Sequence, residues 1–143
     1  MLESIFSIAN STLMVLWIAL TVSLFWPRLQ RGMRLLGWTI APLILAAVYT
    51  WLLVPAMGAS DGSFSSLEQV ALLFTNDRLL LAGWIHYLVF DFFVGTWIVS
   101  QSAQRRGWIR LLVVPCLFLT FMAGPLGLGL FLILNATESR SAP

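Results

Sequence analysis

The chain has 143 residues, 59% of them hydrophobic and 10% charged, with seven Trp and ten Phe. A balance this apolar excludes an ordinary soluble domain and makes lipid the expected solvent. The basic residues are eight Arg with no Lys, and a formal charge of +2 suits membrane orientation rather than a nucleic-acid footprint.

Four apolar stretches follow one another at 5–26, 35–54, 79–99 and 111–134, with 22, 20, 21 and 24 residues. A helix rising about 1.5 Å per residue needs roughly 20 such residues to cross a hydrocarbon core of about 30 Å, and each stretch has that length. The expected fold class is therefore all-α: one transmembrane domain over 1–143, with four transmembrane helices in a compact bundle. The first stretch has no basic start and no small-residue cleavage site, so it reads as helix one rather than as a signal sequence.

Between the first two stretches lie Arg28, Arg31 and Arg34, and between the last two lie Arg105, Arg106 and Arg110. Short Arg-rich loops stay on the cytoplasmic side, so 27–34 and 102–110 are expected to be cytoplasmic and both termini non-cytoplasmic. Trp26, Trp38, Trp51 and Trp108 fall near predicted helix ends, where an amphipathic ring anchors at headgroup level. The connection 55–76 begins with turn-formers and continues as FSSLEQVALLF. Ser65 and Glu68 have capping-box spacing, and Phe64, Leu67, Val70, Ala71 and Phe74 recur at helical intervals. This predicts a short interfacial helix over about 65–75, which could alternatively cover a pocket.

Chemistry concentrates in the third stretch, where 84–95 reads WIHYLVFDFFVG. Its centre is Val89, so His86 and Asp91 lie within roughly 5 Å of the midplane. Asp91 is the single acid within a span, and a carboxylate there costs at least about 2.5 kcal/mol on insertion scales, which makes it a functional-site candidate in need of a partner. A five-residue separation turns His86 and Asp91 about 140° apart, so they cannot face each other and could only flank one cleft. Asp91 aligns better with Tyr87, while His86 shares a face with Phe90, Phe93 and Trp97. Asn10, Met14, Trp17 and Thr21 form a polar and aromatic stripe on the first helix that could meet Asp91. The competing structural reading is interhelical glue, with Asp91 bonded to Asn10, Thr12 or Thr50 and His86 to a backbone carbonyl. Pro42 and Pro115 each free a carbonyl four residues earlier, and the GPLGLG run at Gly124 to Gly129 suits close helix approach.

One His, one Cys (Cys116) and one buried acid cannot supply a zinc or diiron site, and no redox cofactor is expected. No Ser sits in a nucleophile elbow. What remains is acid/base work in an apolar pocket.

VYTWLL at Val48 to Leu53, FSSLEQVALLFTND at Phe64 to Asp77, WIHYLVFDFF at Trp84 to Phe93 and GPLG at Gly124 to Gly127 together carry a resemblance over most of the chain. The sequence resembles the membrane family named for the plant abscisic-acid-deficient protein needed to form neoxanthin from violaxanthin, a family termed neoxanthin synthase. The resemblance implies a carotenoid ligand and isomerisation of an epoxy-xanthophyll, with His86 and Asp91 as catalytic residues and Asn10, Trp17, Tyr87 and Phe90 lining the substrate. With no transit-peptide-like extension, the expected location is a bacterial inner membrane. The other readings are a non-catalytic protein that binds pigment or lipid, an accessory subunit of a membrane complex, a homo-oligomer that builds its pocket between chains, and a proton pathway.

Overall fold

The computed structural model describes residues 1–105 and 107–141, with Arg106 of the basic loop and residues 142–143 outside the described part. Every regular element among the described residues is helical. Helix α1 is Leu2–Phe25, α2 is Pro27–Met57, α3 is Leu67–Leu73, α4 is Asp77–Gln101 and α5 is Trp108–Ser141. Four of these carry stretches long and apolar enough to cross a membrane, with α3 as the short fifth helix, and the chain is a helical membrane bundle as expected.

A single residue, Trp26, separates α1 from α2. The stretch expected as an Arg-rich loop at 27–34 is helical instead, because Pro27 occupies the first helical position, where its missing N–H costs nothing. Gln30 and Met33 turn inward at helical spacing while Arg28 and Arg31 remain exposed, so the extension is amphipathic. The Gln30 side chain donates to the Ser23 carbonyl at 3.2 Å and fixes the turn. Within α2, residues Leu36–Ile40 form a π turn, marked by the Ala41 N–H donating to the Leu36 carbonyl. Pro42 follows directly; its ring crowds the carbonyl of Trp38, and a wider turn relieves that contact. Gly37 in the wide turn packs so closely on α4 that a methyl group there would overlap the Thr96 side chain.

Helix α3 begins one residue later than the capping spacing suggested. Ser66, in extended conformation, accepts from the Gln69 N–H at 3.2 Å, so the capping pair is Ser66 and Gln69 rather than Ser65 and Glu68. Ser65 bonds Ser63 instead. Leu73 packs with Ala56 and Leu79, which seats α3 over the end of the bundle.

Helix α4 is the centre of the bundle and packs on α1, α2 and α5. Ile85, Leu88, Phe92 and Ile98 are buried against Leu20, Leu52, Leu117 and Phe131 in one continuous core. Tyr49 meets His86 and Trp38 meets Phe93, so α2 runs antiparallel to α4. Leu2, Glu3 and Phe6 line one cavity with Asp77, Leu80 and Trp84, so α1 and α4 run parallel.

The fourth apolar stretch, expected as one helix over 111–134, is interrupted. Ala123 has φ −159° and ψ 74°, which is not helical, and Gly124 and Pro125 follow. Three sets of contacts show that the chain reverses there. Before the break, Phe121 meets Trp17 edge-on at 5.6 Å while Arg110 bonds the Arg105 carbonyl beyond the end of α4, so residues 108–122 run antiparallel to α1. After it, Gly124 meets Asp91, Phe131 meets Trp97 with ring centroids 5.6 Å apart, and Asn135 accepts from Arg105 at 2.6 Å, so residues 124–137 run parallel to α4. The two arms pack on each other, since a Cβ on Gly127 would strike the Thr120 backbone and the Cys116 carbonyl. The physical cause is local: Pro125 has no N–H to continue the helix, and Gly124 and Gly127 allow the arms to close.

Replacing Gly37 with Leu forces a side chain into Thr96 and is expected to destabilise the bundle by about 1–3 kcal/mol. Denaturant unfolding in detergent micelles checks this, and an unchanged midpoint would contradict the close approach of α2 and α4.

Candidate functional site

The reversal of α5 leaves polar backbone groups at membrane depth, where each must find a partner inside the protein. Pro125 cannot donate to the Phe121 carbonyl four residues earlier. The Tyr87 hydroxyl takes that place, donating to the Phe121 carbonyl at 3.0 Å. The break at Ala123 likewise releases the Gly124 N–H, which lies within reach of the Asp91 carboxyl, as does the Tyr87 hydroxyl. Gly124 is required by this approach, because a Cβ there would overlap Asp91 Oδ1. Tyr87 and Asp91 stand four residues apart on α4, one turn above the other, and together they face the break.

The carboxyl is not fully satisfied. Asp91 Oδ2 is buried and has no hydrogen-bond partner among the described residues. A carboxyl with an unpartnered oxygen, beside a phenol and in an apolar surround, can accept a proton from a bound molecule. Asn10, Thr12 and Thr50, the polar residues considered as glue for Asp91, make no bond to it.

Along the same face the site continues toward the start of α4. The Trp84 ring lies 5.3 Å from Tyr87, and its Nε1 donates to the Asn10 Oδ1 at 3.1 Å. Asn10 also donates to the Phe6 carbonyl at 2.7 Å. Trp17 is buried, edge-on to Phe92 at 5.8 Å and to Phe121 at 5.6 Å, and closes the site behind the Phe121 carbonyl. The structure thus brings together Asn10, Trp17, Tyr87 and Asp91.

His86 and Phe90 stand elsewhere. The His86 ring stacks on Phe90 at 4.5 Å and lies 5.9 Å from Tyr49, on the side of α4 that faces α2. There it borders a cavity of about 280 Å³ with Leu53, Phe64, Leu73 and Phe74, which α3 and its flanks cover. Phe90 is exposed on the outer surface. The 140° between His86 and Asp91 sets them on different sides of α4, His86 toward Tyr49 and Asp91 toward Gly124. Among the described residues no three of His, Cys, Asp and Glu cluster as a metal site would require.

Trp84, Phe121 and Gly124 were not singled out from the sequence as site residues. The signal lay in Pro125, whose position selects Phe121 as the carbonyl left without a helical donor.

Fold and site define a small helical membrane protein that holds one carboxyl at a break in a helix inside its bundle. Residues 4–131 match the family described as ABA DEFICIENT 4-like, and the chain belongs to that family, which makes it a membrane protein related to neoxanthin synthase. Comparison with curated proteins and with solved structures gave no match.

Replacing Tyr87 with Phe leaves the Phe121 carbonyl unpartnered in an apolar setting and is expected to cost about 1–3 kcal/mol. The unfolding midpoint in detergent measures this, and a wild-type value would show that the hydroxyl does not support the break.

Proposed function

We propose that the protein isomerises an epoxy-xanthophyll dissolved in the membrane, with Asp91 as the base and Tyr87 as the acid. The observation that carries this reading is the buried, unpartnered Oδ2 of Asp91 beside the Tyr87 hydroxyl within a span. Membership of a family related to neoxanthin synthase supports an epoxy-xanthophyll as the substrate class.

Opening an epoxide to an allenic alcohol requires loss of a vinylic proton, cleavage of one carbon–oxygen bond and protonation of the released oxygen. Atoms and electrons balance without an oxidant or reductant. Asp91 accepts the carbon-bound proton, the electron pair moves toward the epoxide carbon, and the Tyr87 hydroxyl delivers a proton to the departing oxygen. Proton return from Asp91 to Tyr87 resets the pair. Trp84, exposed beside Tyr87, offers a flat surface to the ring end of a polyene, with Trp17 buried behind Phe121. His86, in its own cavity, takes no proton in this scheme.

The test exploits the difference between the structural and chemical demands on Asp91. Asparagine keeps an oxygen for the Gly124 N–H but is no base. Asp91→Asn is expected to retain the wild-type unfolding midpoint and to lower conversion of violaxanthin in proteoliposomes about 100-fold or more, whereas His86→Ala changes it less than about tenfold. A folded Asp91→Asn protein that converts pigment normally would end the catalytic assignment.

A second reading has its own observation. Between α1 and α2 runs a cavity of about 420 Å³ lined almost wholly by apolar side chains, among them Ile8, Leu13, Leu16, Ile40 and Ile44. It suits a long apolar molecule held without chemistry. Under that reading pigment co-purifies with wild-type and Asp91→Asn protein alike and is lost from Leu13→Trp; retention in Leu13→Trp would rule the groove out.

A further inference from the structure

We infer that the fourth apolar stretch enters and leaves the membrane at the same face, so that the chain crosses three times and α5 is a re-entrant hairpin. Arg110–Thr137 has the length of a full span. Its path does not use that length. A straight helix would separate Arg110 from Asn135 by about 37 Å. Here the Arg110 guanidinium donates to the Arg105 carbonyl at 2.6 and 2.9 Å, while the Arg105 guanidinium reaches Asn135 at 2.6 Å and covers the Phe131 ring at 4.9 Å. One residue therefore clasps both ends of α5.

Each arm is too short to cross alone. Residues 108–122 rise about 22 Å and residues 124–137 about 21 Å, against a hydrocarbon core of about 30 Å. The tip of the hairpin sits at the depth of Asp91, near the middle of α4. Non-helical backbone is tolerated at that depth when protein covers it, and Tyr87 and Asp91 supply the cover.

Charge supports the same path. With both ends of α5 at one face, Arg140 joins Arg28, Arg31, Arg34, Arg105 and Arg110, which places six of the seven Arg among the described residues together and leaves Arg78 opposite. A crossing α5 would strand Arg140 on the acidic side with Glu3, Asp61 and Asp77. The strong bias of Arg toward one face favours the hairpin. The N- and C-termini then lie on opposite faces, which replaces the expectation of both on one side.

The hairpin also explains why the site is open. Beyond the tip, where the Phe121 carbonyl meets Tyr87, the line of Trp84 and Asn10 continues toward the start of α4. Trp84 and Phe6 are exposed there at 38% and 40%.

Single cysteines placed in a Cys116→Ser background test the topology. Glu3→Cys, Ala103→Cys and Thr137→Cys proteins in sealed vesicles of one orientation are treated with a membrane-impermeant maleimide. Positions 103 and 137 are expected to label from the same face and position 3 from the other; labelling of 137 together with 3 would overturn the hairpin. A second measurement does not depend on vesicle orientation. Arg105→Cys paired with Asn135→Cys is expected to be bridged within one chain by a short bis-maleimide, and failure to bridge in protein with a wild-type unfolding midpoint would also overturn it. Neither experiment reads pigment conversion, so the topology and the acid/base reading fail separately.

Discussion

A peptide group in hydrocarbon has no water to bond, and the arrangement around α4 answers that constraint at one place. Ala123 leaves helical geometry deep in the bundle and Pro125 follows it, freeing a carbonyl and an N–H. Tyr87 meets the first and Asp91 stands at the second. The polar residues of the third span are thus explained before any reaction is considered. They are the partners of a broken helix. That structural duty holds Asp91 beside the break, with its Oδ2 buried and without a hydrogen-bond partner among the described residues.

The two faces of α4 carry different business. Toward α1 and α5 lie Tyr87 and Asp91, with Trp84 and Asn10 continuing the line toward the end of the bundle. Toward α2 lies His86 with Tyr49 and the small cavity under α3. Both faces depend on close backbone approach, at Gly124 against Asp91 and at Gly37 against Thr96. The wide turn at Leu36–Ile40 serves the second of these, since it lets α2 pass Pro42 without leaving α4.

Much of this was legible in the sequence. Apolar length marked the four stretches, and helical arithmetic alone separated His86 from Asp91 and paired Asp91 with Tyr87. The family resemblance rested on the run at Trp84 to Phe93, and the family match covers it. Helix boundaries were less legible, because Pro27 looks like a loop residue until it is recognised as a first helical position. Ser65 and Ser66 both offer a cap, and only the extended backbone at Ser66 decides between them. The reversal of α5 was hidden for a different reason. Hydropathy counts residues and is blind to direction, so two antiparallel arms of apolar sequence score as one long span. The proline and glycines at 124–127 announced a disturbance, but its angle depends on what α4 presents to the freed groups.

The single turn between α1 and α2 and the clasp at Arg105 differ in what they demand of assembly. Trp26 and Pro27 are contiguous in the chain and can close as soon as they are made. Helix α5 cannot: its bend exposes backbone that only Tyr87 and Asp91 can satisfy, and both belong to a helix synthesised earlier. The fourth stretch therefore takes its shape from a surface already in the membrane, as a guest fitted to a finished host. The three preceding helices are its template, and the order of synthesis coincides with the order of need.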